Sequence, residues 1–295
     1  MLRSRTKEPI IILGARGQLG QEFLRVLGRR AVGWGREQLD LAAPAAMESA
    51  LAAVQPAVVI NTAAFNYVDL AETRRQEALT GNFTGAAHLA RLATVQGWTL
   101  VHFSTDYVYG GDGLERPRLE SDPPAPVNFY GYSKLLGEEA ILRTAPGALV
   151  ARVAHLYGGA SQSSGRVNLV QRFMAQARAG EAIRVTRGQT LNPTSVQDVV
   201  PAVLALLDGG AAGLFHLTGE GECTAGEFAA AVLRLAGGPV NVTELERDPR
   251  PALRPRYTVL ENRRWAELGL PPLPAWQASL AAYVAQLTGR KPSGS

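Results

Sequence analysis

Cysteine is almost absent from this sequence, with Cys223 as the one thiol among 295 residues. A single cysteine excludes an intramolecular disulfide and gives no basis for a cysteine-rich zinc site. The four histidines are scattered along the chain, so we predict no metal site. The composition therefore indicates a reducing compartment, and we expect a cytoplasmic protein.

Lysine is also scarce, since Lys7, Lys134 and Lys291 are the only lysines among 30 basic residues. The net charge is +4, but no run of lysine or arginine suggests a nucleic-acid partner. Long apolar runs are missing as well. The apolar stretch 10–13 is too short for a signal-peptide core or a membrane span. We therefore predict neither a nucleic-acid partner nor a membrane partner.

Short apolar runs alternate with segments of helical periodicity in the first half of the chain. The predicted strands are residues 9–13, 31–34, 57–60, 99–103 and 148–153. This alternation is typical of an α/β protein with a Rossmann-like, doubly wound parallel sheet. We predict that residues 1–158 form this NAD(P)-binding domain. Residues 159–295 should form mainly a smaller α+β substrate lobe, with the 183–208 region returning to the sheet.

A glycine-rich turn follows the first predicted strand directly. Gly14, Gly17 and Gly20 have the spacing GxxGxxG, and an amphipathic helix follows them. Glycines at such a turn let a pyrophosphate approach the backbone, and the helix N-terminus supplies amide donors. The pattern predicts a dinucleotide site, and a tight turn without a ligand is the alternative. The predicted site also includes Arg16, Gln18 and Leu19.

Residues after the second and third predicted strands extend this cofactor site. An arginine after the second strand suits the 2′-phosphate of NADP, so Arg36, helped by Arg16, favours NADPH over NADH. Asp40 could reach the adenine edge or could simply open the next helix. Asn82 could contact the cofactor or could be a helix-face amide bonded to backbone. The other predicted cofactor contacts are Leu41, Ala63, Ala64 and Phe65.

The segment 104–134 carries the predicted chemistry. Tyr130 and Lys134 are four positions apart in a predicted helix and therefore share one face. A nearby ammonium favours the phenolate, so the spacing predicts a proton donor whose pKa is lowered by Lys134. Thr105 follows a predicted strand and could hold a substrate oxygen by a hydrogen bond. A surface lysine beside a half-buried tyrosine is the alternative.

Six stretches in chain order carry a family resemblance. They are GARGQLG, NTAAFNYVDLAE, GNFTGAAHLA, STDYVYGG, YGYSK and RPRYTVLENRRWAELGLPPLPAWQASL. Together they resemble the dTDP-4-dehydrorhamnose reductase family of the extended short-chain dehydrogenase/reductase superfamily, over residues 8–288. The resemblance implies a two-lobed oxidoreductase that binds NADPH (or NADH) in its N-terminal lobe. It also implies a nucleotide-diphosphate sugar between the lobes, and it is compatible with a homodimer.

The resemblance also implies roles for single residues. Nicotinamide would deliver hydride to the C4 keto carbon while Tyr130 donates a proton to the oxygen. Lys134 would lower the pKa of Tyr130 and hold the nicotinamide ribose, and both residues would therefore touch the cofactor. The implied substrate contacts are Val68, Thr105, Asp106, Tyr107, His155, Asn168 and Arg254. Arg254 would bind the diphosphate, or it could equally be a surface salt-bridge residue.

Three departures from the family pattern fall on the sugar side. RVAHLYG places His155 where the family usually has a tryptophan that packs on the sugar. NTAAFNYVD places Phe65 and Asn66 at positions that face the substrate, and GQTLNPTSVQDVV replaces an expected aspartate–glutamine pair and GxPT pattern. His155 has no obvious carboxylate partner in the sequence. We therefore expect it to pack or to bond the substrate rather than to act as a base.

Two other functions stay open from the sequence. Dehydratases of this superfamily usually carry an acid–base pair after the threonine, and here Asp106 and Tyr107 supply only the acid; an epimerase is the related option. A non-catalytic, NADP-binding regulatory subunit would tolerate the altered sugar-side residues. The set Thr105, Tyr130 and Lys134 favours an enzyme over such a subunit, and the resemblance implies a reductase that converts dTDP-4-dehydrorhamnose to dTDP-rhamnose.

Overall fold

The strands form one large sheet and several two-stranded sheets in the computed structural model, which describes residues 9–159 and 167–289. In chain order the strands are β1 (Ile10–Leu13), β2 (Ala31–Trp34), β3 (Val58–Asn61), β4 (Thr99–Thr105), β5 (Leu149–Val153), β6 (Leu156–Tyr157), β7 (Ile183–Thr186), β8 (Thr190–Leu191), β9 (Thr194–Ser195), β10 (Gly213–His216), β11 (Cys223–Thr224) and β12 (Val242–Leu245).

Helices separate most of these strands. They are α1 (Gln18–Leu27), α2 (Pro44–Val54), α3 (Val68–Ala71), α4 (Arg75–Leu79), α5 (Gly85–Gln96), α6 (Phe129–Thr144), α7 (Leu169–Arg178), α8 (Val196–Asp208), α9 (Ala225–Ala236), α10 (Arg263–Glu267) and α11 (Trp276–Thr288). A π-helical turn, Thr80–Thr84, joins α4 to α5, and a 3₁₀ turn, Asp106–Val108, follows β4.

The large sheet has the strand order β10-β5-β4-β3-β1-β2, and all of its pairs are parallel. This arrangement confirms the predicted doubly wound α/β fold. The strand order reverses between β1 and β3, and ligands of such sheets bind outside the carboxyl ends of the strands at that reversal. Gly14 follows β1 and Thr62 follows β3, so the glycine turn lies at this position.

Alternate residues of β1 point to opposite faces of the sheet, and both faces are covered by helices. Ile10 and Ile12 belong to one core with Phe23 of α1, whereas Ile11 belongs to the other core with Leu89 of α5. A strand that is buried on both faces reads as a continuous apolar run, which explains the sequence IIIL.

A third apolar core lies in the C-terminal half, between α7, α9 and α11. Its largest side chains are Tyr157, Phe173, Phe228, Trp276 and Tyr283. The aromatic rings contact one another with centroid separations between 5.8 and 5.9 Å. This core gives the substrate-side lobe packing of its own beside the large sheet.

The region 183–208 differs from the prediction in one part. Strand β7 pairs in parallel with β12, outside the large sheet, because Ile183 and Val185 are buried in the third core. Helix α8 does return to the large sheet, since Val199 and Val203 belong to the core with β1. The strand part of that prediction is wrong, and the domain boundary at residue 158 stays a prediction.

Candidate active site

The glycine turn brings backbone close to backbone at the reversal of strand order. Gly14 has φ +73°, and a Cβ atom there would lie 2.7 Å from the amide nitrogen of Ala63. Gly17 is the N-cap of α1, and no side chain caps that helix start. The first turn of α1 therefore presents amide donors that suit a pyrophosphate. Oε1 of Gln18 is buried and has no hydrogen-bond partner among residues 9–159 and 167–289.

Arg16 and Arg36 lie where the 2′-phosphate of NADP was predicted, and both are paired with carboxylates. Arg16 binds Glu37, and Nε of Arg36 lies 2.8 Å from Oδ2 of Asp40. Burial alone would raise the pKa of Asp40, but the Ala42 amide and Arg36 outweigh it and lower that pKa. Asp40 does not cap α2, whose N-cap is Ala43.

Leu19 and Leu41 are buried in the two cores beside the sheet. Their side chains are therefore not available to a cofactor, and their backbone is the only part that could contact one. Ala63 and Ala64 lie in the loop after β3, which begins at the reversal of strand order. Their small side chains leave the end of β3 open.

The side chain of Asn82 is hydrogen-bonded to the loop that follows β3. Its Oδ1 accepts from the Phe65 amide at 2.8 Å, and its Nδ2 donates to the Phe65 carbonyl at 3.0 Å and to Oγ of Ser133 at 2.9 Å. The side chain is fully buried, so its polar atoms are used by the protein. The structure favours the alternative of an amide bonded to backbone, and Asn82 positions the loop instead of binding a ligand.

Thr105 and Tyr130 meet at the carboxyl end of β4. Tyr130 lies in the first turn of α6, and its side chain is near enough to Thr105 for the Thr105 hydroxyl to lower its pKa, against the effect of burial. Thr105 itself donates to Oδ1 of Asp106 at 3.0 Å and accepts from the Tyr107 amide at 3.2 Å. The hydroxyl and the phenol are therefore neighbours, an arrangement that suits a ketone oxygen that accepts a proton while the carbonyl carbon accepts hydride.

Lys134 is buried one turn after Tyr130, but its Nζ is directed at strand β4. It donates to the Phe103 carbonyl at 2.5 Å and lies 3.2 Å from Nε2 of His102. The pKa of Tyr130 is raised by burial first and then by Asp106. The predicted lowering of that pKa by Lys134 is not what the structure shows, because Nζ is held by the backbone of β4.

A cavity of about 800 Å³ lies between the end of the large sheet and the substrate-side lobe. Tyr107 and His155 enter it from the sheet, and the ring of Tyr107 packs against Tyr130 with centroids 5.9 Å apart. Two arginines that the sequence analysis did not single out, Arg172 and Arg250, also line the cavity. Burial and then Arg250 lower the pKa of Arg172. Arg250 is paired with Asp248, which lines the same wall, so an anion in the cavity would compete with Asp248 for Arg250.

His155 has the carboxylate partner that was not apparent from the sequence. Its Nε2 lies 3.6 Å from Oδ2 of Asp106, and both side chains are largely buried. Burial raises the pKa of Asp106, with His155 opposing it, and burial lowers the pKa of His155. Asp106 directly follows Thr105 in the sequence STD, which is the one local signal that could have suggested this pair.

Five of the seven predicted substrate residues do not line the cavity, namely Val68, Thr105, Asp106, Asn168 and Arg254. Arg254 binds Asp69, with Nη2 2.8 Å from Oδ2, which favours the salt-bridge alternative. Asn168 caps α7 through its Oδ1 and donates to Oη of Tyr283 at 2.6 Å. Val68 is half-buried at the start of α3. Arg172 lies one turn after Asn168, and that spacing could have identified it.

Residues 9–159 and 167–289 contain neither a candidate metal site nor a helix that could span a membrane. In these ranges no three histidine, cysteine, aspartate or glutamate side chains converge on a position that could hold a metal ion. No helix in the same ranges combines the length and the apolarity needed to span a bilayer.

A family model described as the RmlD substrate binding domain matches residues 8–288. The chain belongs to this family. A dTDP-4-dehydrorhamnose reductase of Streptomyces griseus is 37% identical over 95% of this chain and 94% of that protein. A probable dTDP-4,6-dihydroxy-2-methyloxan-3-one 4-ketoreductase of Streptomyces antibioticus is 38% identical over 92% of each chain. The family resemblance of the six sequence stretches is thus confirmed.

The solved structure of a dTDP-4-dehydrorhamnose reductase from Bacillus anthracis, in complex with NADP, shares the fold of this chain. The TM-score is 0.89 at 29% sequence identity, and the match covers 95% of this chain and 99% of that one. Both the sheet and the substrate-side lobe are therefore common to the two proteins.

Proposed function

We propose that this chain uses NADPH to reduce the 4-keto group of a nucleotide-diphosphate sugar. The first candidate is the reduction of dTDP-4-dehydrorhamnose to dTDP-rhamnose. The observation that carries the proposal is the juxtaposition of Tyr130 and Thr105 at the carboxyl end of β4, on the same edge as the glycine turn. The names of the Streptomyces griseus and Bacillus anthracis relatives support it.

The cofactor would lie across the carboxyl ends of β1 and β3. The Gly14–Gly17 turn and the first turn of α1 would hold the pyrophosphate, and Arg16 and Arg36 would exchange their carboxylate partners for the 2′-phosphate. NADPH, when bound, supplies the hydride for the carbonyl carbon.

Tyr130 supplies the proton that the carbonyl oxygen needs. Thr105 would turn its hydroxyl from Asp106 to that oxygen and hold it by a hydrogen bond, so that the phenol has a fixed direction of transfer. The raised pKa of Tyr130 keeps it protonated before the reaction, and the phenolate regains its proton from solvent afterwards. A proton donor fixed in this way contributes about 10²- to 10⁴-fold in rate.

The cavity beside Tyr107 would hold the substrate. Arg172 and Arg250 are suited to the diphosphate, because guanidinium groups bind paired phosphate oxygens through two donors. His155 and Asp106 would face the sugar hydroxyls. His155 stands where the family usually has tryptophan, and this polar substitution is the reason that the sugar could differ from the rhamnose precursor.

We further propose a cytoplasmic homodimer, in which residues 1–158 form the cofactor domain and residues 159–295 form most of the substrate lobe. The single cysteine supports a reducing compartment. Light scattering after size-exclusion chromatography tests the dimer, and a monomer mass would contradict it.

The deciding experiment follows NADPH consumption with freshly generated dTDP-4-dehydrorhamnose. Tyr130→Phe should reduce turnover by at least about 10²-fold, since it removes the proton donor but keeps the ring. Tyr132→Phe is the matched control, because Tyr132 lies on the same helix and is 46% exposed. It should keep wild-type activity.

A folded wild-type protein that binds NADPH but reduces no 4-keto sugar nucleotide would overturn the proposal. That outcome would favour the regulatory-subunit alternative. Turnover of another 4-keto sugar nucleotide, without turnover of dTDP-4-dehydrorhamnose, would keep the reductase and change only its sugar.

A further inference from the structure

His155 and Asp106 form a buried pair at the carboxyl end of the large sheet. Asp106 follows β4 and His155 follows β5, and these strands are neighbours. Nε2 of His155 lies 3.6 Å from Oδ2 of Asp106, and the two side chains are 14% and 3% exposed. The sequence analysis expected no role for His155 as a base because no carboxylate partner was apparent. The structure supplies that partner and removes the objection.

The pair is next to the groups that would hold the ketone. The Thr105 hydroxyl donates to Oδ1 of Asp106 at 3.0 Å, and the other carboxylate oxygen faces His155. The ring of Tyr107 contacts the rings of Tyr130 and His155, with centroid separations of 5.9 and 6.3 Å. Tyr107 and His155 both line the cavity. A sugar ring bound against Tyr107 would therefore be close to both the phenol and the imidazole.

The protonation of His155 suits a base. Burial lowers the pKa of His155, with Asp106 opposing and Arg250 adding to the effect. The imidazole is therefore neutral at neutral pH, and one of its ring nitrogens has a free lone pair. With the proton on Nε2, facing the carboxylate, the lone pair is on Nδ1. When Nδ1 takes up a proton, the nearby carboxylate stabilises the imidazolium that forms.

The other polar groups packed around the pair are poorer candidates for a base. Arg250 is a cation, and it is paired with Asp248. Burial raises the pKa of Tyr107 to about 12, so its phenol stays protonated. Asp106 itself does not line the cavity. Of these groups, His155 is the one that can accept a proton from a molecule in the cavity.

We propose that His155, positioned by Asp106, is a base that removes a hydrogen from a carbon next to the keto group of the bound sugar. The inference rests on the proposed function, because it is the 4-keto group that makes this hydrogen acidic. The C–H bond breaks, and the hydrogen moves to the imidazole as a proton. The electron pair forms the C=C bond of an enolate, whose negative charge is on the former carbonyl oxygen. Thr105 and Tyr130 are the donors that would stabilise this oxygen.

The step is reversible and needs no cofactor. The imidazolium exchanges its proton with solvent and then returns a proton to the carbon. The sugar is regenerated with a solvent hydrogen in place of its own. A single base returns the proton to the face from which the first one came, so the configuration of the carbon is retained. The inferred activity is therefore hydrogen exchange, which differs from epimerisation because epimerisation needs a second acid on the opposite face.

Deuterium incorporation measures this step without NADPH. The wild-type protein is mixed with freshly generated dTDP-4-dehydrorhamnose in D₂O. The mixture is kept at about pH 8, because burial raises the pKa of Asp106 and a higher pH favours its carboxylate. Mass spectrometry and proton NMR then follow the hydrogens next to the keto group. We expect exchange at least about 10²-fold faster than in a protein-free sample. Exchange no faster than in that sample would overturn the proposal, whether or not the same preparation reduces the sugar.

His155→Asn removes the basic nitrogen with little disturbance of the backbone. His155 has φ +42°, a left-handed conformation that asparagine tolerates, and the amide can still donate to Asp106. We expect this variant to lower the exchange rate by at least about 10²-fold. His88→Asn is the matched control and should exchange like the wild type, because His88 lies on α5 and does not line the cavity. Equal exchange in His155→Asn and the wild type would overturn the proposal.

Asp106→Asn tests the positioning role of the carboxylate. The variant keeps the shape of the side chain but cannot stabilise an imidazolium, so exchange should fall by at least about tenfold. The ratio of exchange to NADPH-dependent reduction should fall too, since a general loss of structure would lower both rates together. If His155→Asn does not fold, Asp106→Asn decides, and an unchanged ratio overturns the proposal. Reduction without exchange would remove this inference alone, whereas exchange without reduction would support it and remove the proposed reductase.

Discussion

Nε2 of His155 and Oδ2 of Asp106 face each other across 3.6 Å, and both are buried atoms without a hydrogen-bond partner in the described ranges. His155 also has φ +42°, in the left-handed region that non-glycine residues seldom adopt. Strained backbone and unsatisfied polar atoms tend to occur together at functional sites. The pair lies next to Thr105, and His155 lines the cavity that we propose for the substrate.

Asp106→Asn tests the cost of burying this carboxyl group. Burial raises the pKa of Asp106, with His155 opposing, so folding favours the protonated form. Its contribution to stability is present at acid pH and is lost as the pH rises through the raised pKa. We expect the free energy of unfolding of the variant to exceed that of the wild type by about 1 kcal/mol at about pH 8 and to equal it near pH 4. Thermal unfolding at the two pH values measures both.

Asp112→Asn is the control of opposite sign. The hydrogen bond from Arg118 lowers the pKa of Asp112, against the effect of burial, so its contribution is present at neutral pH and is lost as the pH falls. This variant should be less stable than the wild type at about pH 8. If both variants were more stable, or both less stable, than the wild type at about pH 8, the opposite pKa shifts of Asp106 and Asp112 would be contradicted.

Arg172 and Arg250 should determine the affinity for the nucleotide sugar. Removing either charge from the cavity wall, as in Arg172→Gln, should raise KM by at least about tenfold, with little change in kcat. A tenfold rise corresponds to a loss of about 1.4 kcal/mol of binding free energy. Steady-state kinetics at two salt concentrations check this, because an ionic contact weakens with salt. Arg254→Gln is the comparison: Arg254 does not line the cavity and its guanidinium binds Asp69, so KM should stay constant while Tm falls. The reverse result would restore Arg254 as the diphosphate ligand.

Gly131 allows α6 to lie close to the end of β4. A Cβ atom at this position would be 2.1 Å from the Tyr107 carbonyl oxygen, so Gly131→Ala must push the helix away. Tyr130, the preceding residue, would then move from Thr105, and a displacement of about 1 Å can cost about 10²-fold in kcat. Gly147→Ala, with no atom within 4 Å of its added Cβ, should be neutral. Wild-type kcat in Gly131→Ala would show that this packing does not position the proton donor.

The preference for NADPH should depend on Arg16 and Arg36 together. Replacing both by alanine should raise the Kd for NADPH by about tenfold, because the 2′-phosphate loses its cationic partners. The Kd for NADH should not change. Fluorescence titration measures both, and Arg91→Ala is the control because Arg91 is also a surface arginine paired with a carboxylate, that of Glu48. An equal loss of affinity for NADPH and NADH would contradict the assignment of Arg16 and Arg36 to the 2′-phosphate.

The sequence by itself determined the features whose physical cause is local. Alternating apolar runs and helical segments predicted the parallel sheet, because a buried strand and an amphipathic helix each leave their own periodicity. The glycine turn follows β1 in the chain and therefore in space. The spacing of Thr224 and Glu227 predicts a capping box, which the structure contains.

Tertiary structure alone decided which partners the polar side chains have. Asp106 and His155 are 49 positions apart, and they meet because β4 and β5 are neighbours in the sheet. Arg254 is bound by Asp69, and Nζ of Lys134 is directed at β4. Ile183–Thr186 pairs with a strand that follows much later in the chain. A side chain's bonds depend on which distant groups the packing brings within about 3 Å of it, and no local pattern records that.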